Sequence, residues 1–155
     1  MCRTRRSWRH SSCAGPLIEK SGSVIAPLAD NKFAGLPLFV GRDAETAAAA
    51  FDEQFANWPE IRARVKAYIR VAGRRWDLRL DNGVVVKLPE HNVPRAMQVL
   101  SVMELEQNIL ERDIAAVDLR LEDRTTVQLS PEAVERREIA LKDRAKRLKA
   151  AEKQI

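Results

Sequence analysis

The sequence is poor in the residues that carry chemistry. Its two cysteines, Cys2 and Cys13, both fall in the first thirteen residues. Their spacing matches no metal or redox motif, and the rest of the chain has no cysteine to pair with them. The body therefore offers no disulfide framework and no compartment signal. The two histidines are His10 and His91, and neither has a nucleophile or ligand partner at a recognisable spacing. No phosphate-cradling glycine loop and no zinc spacing appears. Carboxylate pairs such as Glu104 and Glu106 belong to a charged helix face without a buried setting. An enzyme reading thus has no residue to carry it, and no cofactor, metal or small-molecule substrate is expected. Long apolar runs are also missing. No stretch approaches the ~18 residues of a membrane span, and no apolar core follows the N-terminal arginines as a secretory signal requires.

What is present is a globular body between basic ends. The 155 residues carry a formal charge of +5, unevenly spread. Residues 1–16 hold four arginines and no acid, and residues 131–155 hold eight bases against five acids, which leaves 17–130 at −2. A nucleic-acid-binding domain is expected to carry its positive charge on the folded body. Solvated tails are the simpler reading, with a small basic-tailed nucleic-acid-associated protein as the rival. Arg74, Arg75 and Arg79 are interleaved with Asp77 and Asp81, a mixed face that suits a protein partner better than DNA.

The most informative stretch is Arg74 to Leu88. Trp76, Leu78 and Leu80 alternate on one face of a first run, and Val84, Val86 and Leu88 on one face of a second. Asp81-Asn82-Gly83 lies between them. Asn-Gly in this setting predicts a hairpin with a type I′ turn, which needs positive φ at both central residues. A lone hairpin is marginal in water, so its apolar face needs cover. The preceding run, Ile61 to Ala72, changes period and supplies a strand over about 65–72, with Val65, Ala67, Ile69 and Val71 alternating against Arg64, Lys66, Tyr68 and Arg70. Upstream, Lys20 to Ser23 reads as a short hairpin or a turn before a Val24-Ile25 strand, and Phe33 to Val40, broken by Gly35 and Pro37, as an edge strand or extended segment. Asp43 is expected to cap a helix from Ala44 whose stripe of Ala48, Phe51, Phe55 and Trp58 ends at Pro59.

Downstream, Asn92 and Pro94 open a second helix to about Glu106, with Val93, Met97, Leu100 and Met103 on one face, and Ile109-Leu110 adding a turn. Ala116 to Leu121 alternates as a strand with Val117, Leu119 and Leu121 inward. Glu122-Asp123-Arg124 turns the chain, and Thr125 to Leu129 gives the last strand with Val127 and Leu129 inward. Ser130-Pro131 starts a nearly all-polar helix. Val134, Leu141, Leu148 and Ile155 recur at seven residues along it, a stripe too narrow for a core. It reads as a solvated helical or disordered tail, or as a partner-binding helix. The expected fold is α+β: a mainly antiparallel sheet of five strands, two packed amphipathic helices and a C-terminal polar helix. The expected domain spans 17–130, with 1–16 an irregular tail and 131–155 a second one.

Three pieces, in order and with helices between them, carry a family resemblance: Gly35-Leu36-Pro37-Leu38-Phe39-Val40-Gly41, Arg74-Arg75-Trp76-Asp77-Leu78-Arg79-Leu80-Asp81-Asn82-Gly83, and Val117-Asp118-Leu119-Arg120. The set resembles the C-terminal β domain of the FtsQ/DivIB family of bacterial cell-division proteins, and is most similar to alphaproteobacterial members. The resemblance implies a non-enzymatic divisome scaffold of the inner membrane at the division septum, its β domain on the periplasmic side. It implies binding of the FtsB–FtsL pair through the edge of the last strand, here Thr125, Thr126, Val127, Gln128 and Leu129. It makes Arg120 the charged contact for an acidic partner residue and places Leu121 beside it. The family's transmembrane helix and POTRA domain are absent from these residues, so the chain is expected to be a truncated or mis-started version of a longer protein.

Overall fold

Alternation in the middle of the chain organises everything around it. A computed structural model describes residues 16–19, 23–27 and 36–152. The basic stretch 1–15, the turn residues Lys20 to Gly22, Phe33 to Gly35 and Ile155 lie outside the described residues. In chain order the elements are β1 (Pro16–Ile18), β2 (Val24–Pro27), β3 (Leu38–Val40), α1 (Ala44–Gln54), a 3₁₀ turn (Phe55–Asn57), α2 (Pro59–Arg64), β4 (Val65–Val71), β5 (Arg75–Leu80), β6 (Val85–Lys87), α3 (Val93–Gln107), a 3₁₀ turn (Ile109–Glu111), β7 (Ile114–Asp118), β8 (Thr126–Leu129) and α4 (Pro131–Glu152). β1 and β2 pair antiparallel as a separate ribbon, and the other strands form one six-stranded sheet in the order β3-β4-β5-β6-β7-β8. β3–β4 and β6–β7 are parallel and the remaining neighbours antiparallel. The fold is α+β with a mainly antiparallel sheet.

One face of the sheet and the helices above it share a single core. Trp76, Leu78, Leu80, Val84, Val86 and Leu88 are buried, as the alternation predicted, against Phe51, Phe55, Met97, Leu100 and Leu110. Fully burying side chains of this size contributes ~1.5–3 kcal/mol each. At the β3 end the core is aromatic. The Phe39 ring stacks on Tyr68 at 4.7 Å, and Phe51 stacks on Trp76 at 4.6 Å.

The hairpin forms, but its turn is not type I′. Only Gly83 has a positive φ (88°), and its N–H donates to the Leu80 carbonyl at 3.1 Å. This is the three-residue loop with glycine at the left-handed position. Asn82 donates instead to the Leu110 carbonyl at 2.6 Å and accepts from Val84 N–H, so its amide ties the hairpin tip to the 3₁₀ turn behind it. The pair of positive φ values appears one loop earlier, at Ala72 (54°) and Gly73 (67°), between β4 and β5.

β4 also departs from simple alternation. Its register with β5 shifts between Val65 and Ala67, which is a β-bulge. One extra residue sends the following side chains to opposite faces. Tyr68 therefore turns into the core with no exposure, while Ala67, Ile69 and Val71 turn to the other face. Burial pushes the Tyr68 phenol up to about 12, with Asp52 adding to the rise. Its hydroxyl makes no hydrogen bond of normal geometry, and the nearby Arg62, which donates to both Asp52 oxygens at 3.1 and 2.5 Å, opposes the rise.

Other boundaries differ for local reasons. The helical run stops before Pro59 as expected, with Trp58 non-helical, and Pro59 itself occupies the first turn of α2, where its missing N–H costs nothing. Residues 61–64 are thus helical, ahead of the strand. Asp43 and Asn92 precede their helices as expected but do not cap them with their side chains. Both adopt left-handed backbones. The Asp43 carbonyl accepts from Arg70 at 2.6 Å, and the Asn92 amide donates to Glu122 at 2.7 Å. The edge strand expected before Gly41 is β3 (Leu38–Val40), which brings the sheet to six strands, and the strand expected over 116–121 runs over 114–118, leaving Leu121 57% exposed. α4 begins at a true cap, with Ser130 Oγ accepting from Ala133 N–H at 3.1 Å.

Candidate functional site

The sheet has two ends, and β8 is the second. It pairs with β7 through Ile114↔Leu129, Ala116↔Gln128, Val117↔Val127 and Asp118↔Thr126, with a bulge between Ile114 and Ala116. On its other side no described strand pairs with it. Alternate residues of an edge strand turn their N–H and C=O groups outward, so β8 offers a short row of unpaired backbone groups. Val127 and Leu129 are half-buried against the core, while Thr126 and Gln128 are exposed on the opposite face.

The segment leading into β8 is pinned in place. Leu119 N–H donates to the Lys87 carbonyl at 2.9 Å, which carries the chain one step past β7 and buries the Leu119 side chain. Arg120 then folds back on Asp118. Its Nε lies 2.9 and 3.0 Å from the two carboxylate oxygens, its Nη2 2.6 Å from one, and its backbone N–H donates at 3.1 Å. These hydrogen bonds hold the Asp118 carboxyl below the usual carboxylate range. Because Asp118 faces Thr126 across the ladder, the Arg120 guanidinium stands at the entry of the edge strand. Glu122 reaches the other way, to Asn92 at 2.7 Å and Arg95 at 3.6 Å on the start of α3.

Between this segment and α3 lies a groove of ≈ 200 Å³ with Ala96, Val99, Leu119, Leu121 and Thr125 in its wall. The structure therefore brings Leu121 and Thr125 together with α3, sets Arg120 beside Asp118, and aligns Thr126, Val127, Gln128 and Leu129 along the edge. Sequence reasoning missed Asn92, Arg95, Val99 and Glu122 as neighbours of this edge. Val99 carried a signal, since an apolar residue off the Val93-Met97-Leu100 stripe has no place in the core.

The sheet face away from the helices carries charge at its centre. Arg75 Nε and Asp77 Oδ1 are buried atoms 3.8 Å apart, and neither has a hydrogen-bond partner. Burial raises the Asp77 carboxyl above its ordinary value, against the pull of Arg75, Lys87 and Arg120. Among the described residues no group of three or more histidine, cysteine, aspartate or glutamate side chains is placed to hold a metal ion. Nor is any described helix long and apolar enough to cross a membrane.

Comparison with known proteins gives one consistent result. The family described as Cell division protein FtsQ/DivIB, C-terminal, matches residues 7–120. The cell division protein FtsQ of Rhizobium meliloti (strain 1021) is 74% identical over 133 residues, which are 86% of this chain and 43% of that protein. Those of Rhizobium radiobacter and Agrobacterium fabrum (strain C58 / ATCC 33970) are each 66% identical over 146 residues, 94% of this chain. The aligned part makes up 69% of the former and 46% of the latter. With the sheet, the three sequence pieces and these likenesses in agreement, the chain belongs to the FtsQ/DivIB family of cell division proteins.

Proposed function

We propose that this chain acts as a non-enzymatic scaffold of the divisome, binding the FtsB–FtsL pair at the outer edge of β8. The observation that carries the reading is the unpaired side of Thr126–Leu129 next to the α3 groove. A partner strand laid along β8 gains main-chain hydrogen bonds, and side chains on alternate positions read the surface on either side. Thr126 and Gln128 meet it on one face, and Val127 and Leu129 on the other. Leu121, with Val99 and Ala96, offers an apolar seat in the groove, rimmed by Arg95, Glu122 and Arg124. Arg120 supplies the positive charge for an acidic partner residue while keeping its bond to Asp118. The domain doing this work is 17–130, with 1–16 and 131–155 as flanking tails. In this reading the domain works on the periplasmic side of the inner membrane at the septum.

The test is a binding measurement between purified chain and the FtsB–FtsL pair. Arg120→Glu, Leu121→Asp and Val127→Pro are each expected to weaken binding. Leu121→Asp alters an exposed side chain and should leave the melting temperature nearly unchanged, so it remains informative if the proline variant unfolds, whereas Arg120→Glu also breaks the pair with Asp118 and should lower the melting temperature by a few degrees without unfolding the domain. Full affinity in all three, with the fold intact, would remove β8 as the site.

A further inference from the structure

α4 is long, folded and almost untouched by the rest of the protein. Every described side chain from Pro131 to Lys149 is exposed except the half-buried Ala133. Among the described residues its ion pair to the body is Arg136 with Asp113. The helix lies outside residues 7–120 matched by the family. Helices in water owe most of their stability to packing of one face, and α4 has a face without cover. Val134, Leu141 and Leu148, spaced by seven, are 42%, 54% and 59% exposed.

The flanks of that row say what can cover it. With Val134, Leu141 and Leu148 at the d positions of a heptad, the a positions are Glu138, Ala145 and Glu152. Arg137 and Arg144 take the g positions and Lys142 and Lys149 the e positions that follow them, with Glu135 at the first e position as the one acid on the flanks. In a parallel pair of this chain Arg137 would meet Lys142 of the other copy, and Arg144 would meet Lys149. Both contacts set like charges together, which disfavours self-pairing. A narrow seam without aromatic residues is likewise a poor membrane-surface face, which needs a broad apolar side with bulky anchors. The matching surface is a helix with its own apolar row flanked by carboxylates.

We infer that α4 is a second docking element, built to pair with an acidic amphipathic helix of a partner protein through Val134, Leu141 and Leu148, with Arg137, Lys142, Arg144 and Lys149 setting the choice of partner. This inference stands apart from the β8 reading, and its test touches no residue of that edge.

The probe is a synthetic four-heptad peptide with leucine and isoleucine in its seam and glutamate at the flanking positions. A twin with lysine in place of glutamate serves as comparison. The full chain is expected to bind the acidic peptide and to prefer it over the basic one by at least about tenfold at low salt, where charge pairs are least screened. Reversal of the four basic residues (R137E, K142E, R144E, K149E) should invert that preference. Leu141→Asp with Leu148→Asp should abolish binding of either peptide while circular dichroism shows the body folded. Equal binding of the two peptides, or acidic-peptide binding that survives the leucine changes, would overturn the proposal. So would concentration-dependent dimerisation lost on the leucine changes, or capture by phosphatidylglycerol vesicles without peptide binding.

Discussion

The two edges of the sheet are built in opposite ways. β3 is three residues long, lies parallel to β4 and follows Pro37, which has no N–H to offer. It is fastened from behind: Phe39 stacks on Tyr68, and Arg70 reaches from β4 to the Asp43 carbonyl at 2.6 Å. At Gly41 the backbone comes so close that an added Cβ would sit 2.4 Å from the Arg70 carbonyl oxygen. β8 is antiparallel, only half-buried, and has no comparable fastening. An edge locked by packing resists further pairing, and an edge with polar, exposed residues and a groove alongside can accept it. Burial does not separate the two edges, since Leu38 and Val40 of β3 are 53% and 43% exposed; what differs is the backbone, held at β3 by Pro37, the close approach at Gly41 and the Arg70 bond, and left open along β8.

Breaking the locked edge should cost the most. Gly41 has φ 127°, a conformation that side-chain-bearing residues rarely adopt, as well as the close contact. Gly41→Ala is expected to destabilise the protein by about 2 kcal/mol or more in urea unfolding, through strain and a displaced β3. Next comes a direct contrast between the edges. Phe39→Ala should cost about 2 kcal/mol and Val127→Ala roughly 1 kcal/mol, since both are partly buried but only Phe39 belongs to the aromatic stack. Equal costs would mean that the two edges are fastened alike.

The charged face between the edges gives a smaller, pH-dependent contrast. Asp118 is held below the usual carboxylate range by Arg120. Its contribution is present above the unfolded pKa of ~3.9 and is lost as pH falls through the lower folded value. Asp118→Asn should therefore lower stability at neutral pH, with the deficit closing in acid. Asp77 is shifted the other way by burial. Its ionised form costs stability at neutral pH, and that cost is relieved as pH falls through its raised pKa toward the unfolded one. Asp77→Asn should raise the melting temperature at pH 7 and lose its advantage below the ordinary carboxylate range. The smallest effect is expected at Tyr68, whose hydroxyl is buried without a partner. Tyr68→Phe should change stability by no more than ~1 kcal/mol, toward stabilisation, because it removes a desolvated polar group.

Much of the fold was legible because period and burial agree. The Trp76-Leu78-Leu80 and Val84-Val86-Leu88 rows, the Phe51-Phe55 stripe and the Met97-Leu100 face all point where alternation or helical spacing sends them. The failures come from contacts that no local period encodes. The bulge after Val65 inverts Tyr68, and no local signal marks it. Asn82 serves the Leu110 carbonyl, so the Asn-Gly pair does not supply two positive φ values. Leu121 is apolar and in phase with Val117 and Leu119, yet the ladder ends before it because Arg120 bonds back to Asp118. The edge itself was readable as the last strand of the chain. The α3 side of the groove was not, since Asn92, Arg95 and Glu122 meet only in three dimensions.

Amide hydrogen exchange of the chain, alone and with the FtsB–FtsL pair, tests the central claim most directly. New protection is expected only at the outward amides of Thr126–Leu129 and in the segment from Arg120 to Thr125, with β3 unchanged. Protection appearing at Leu38–Val40 while β8 exchanges as before would contradict it.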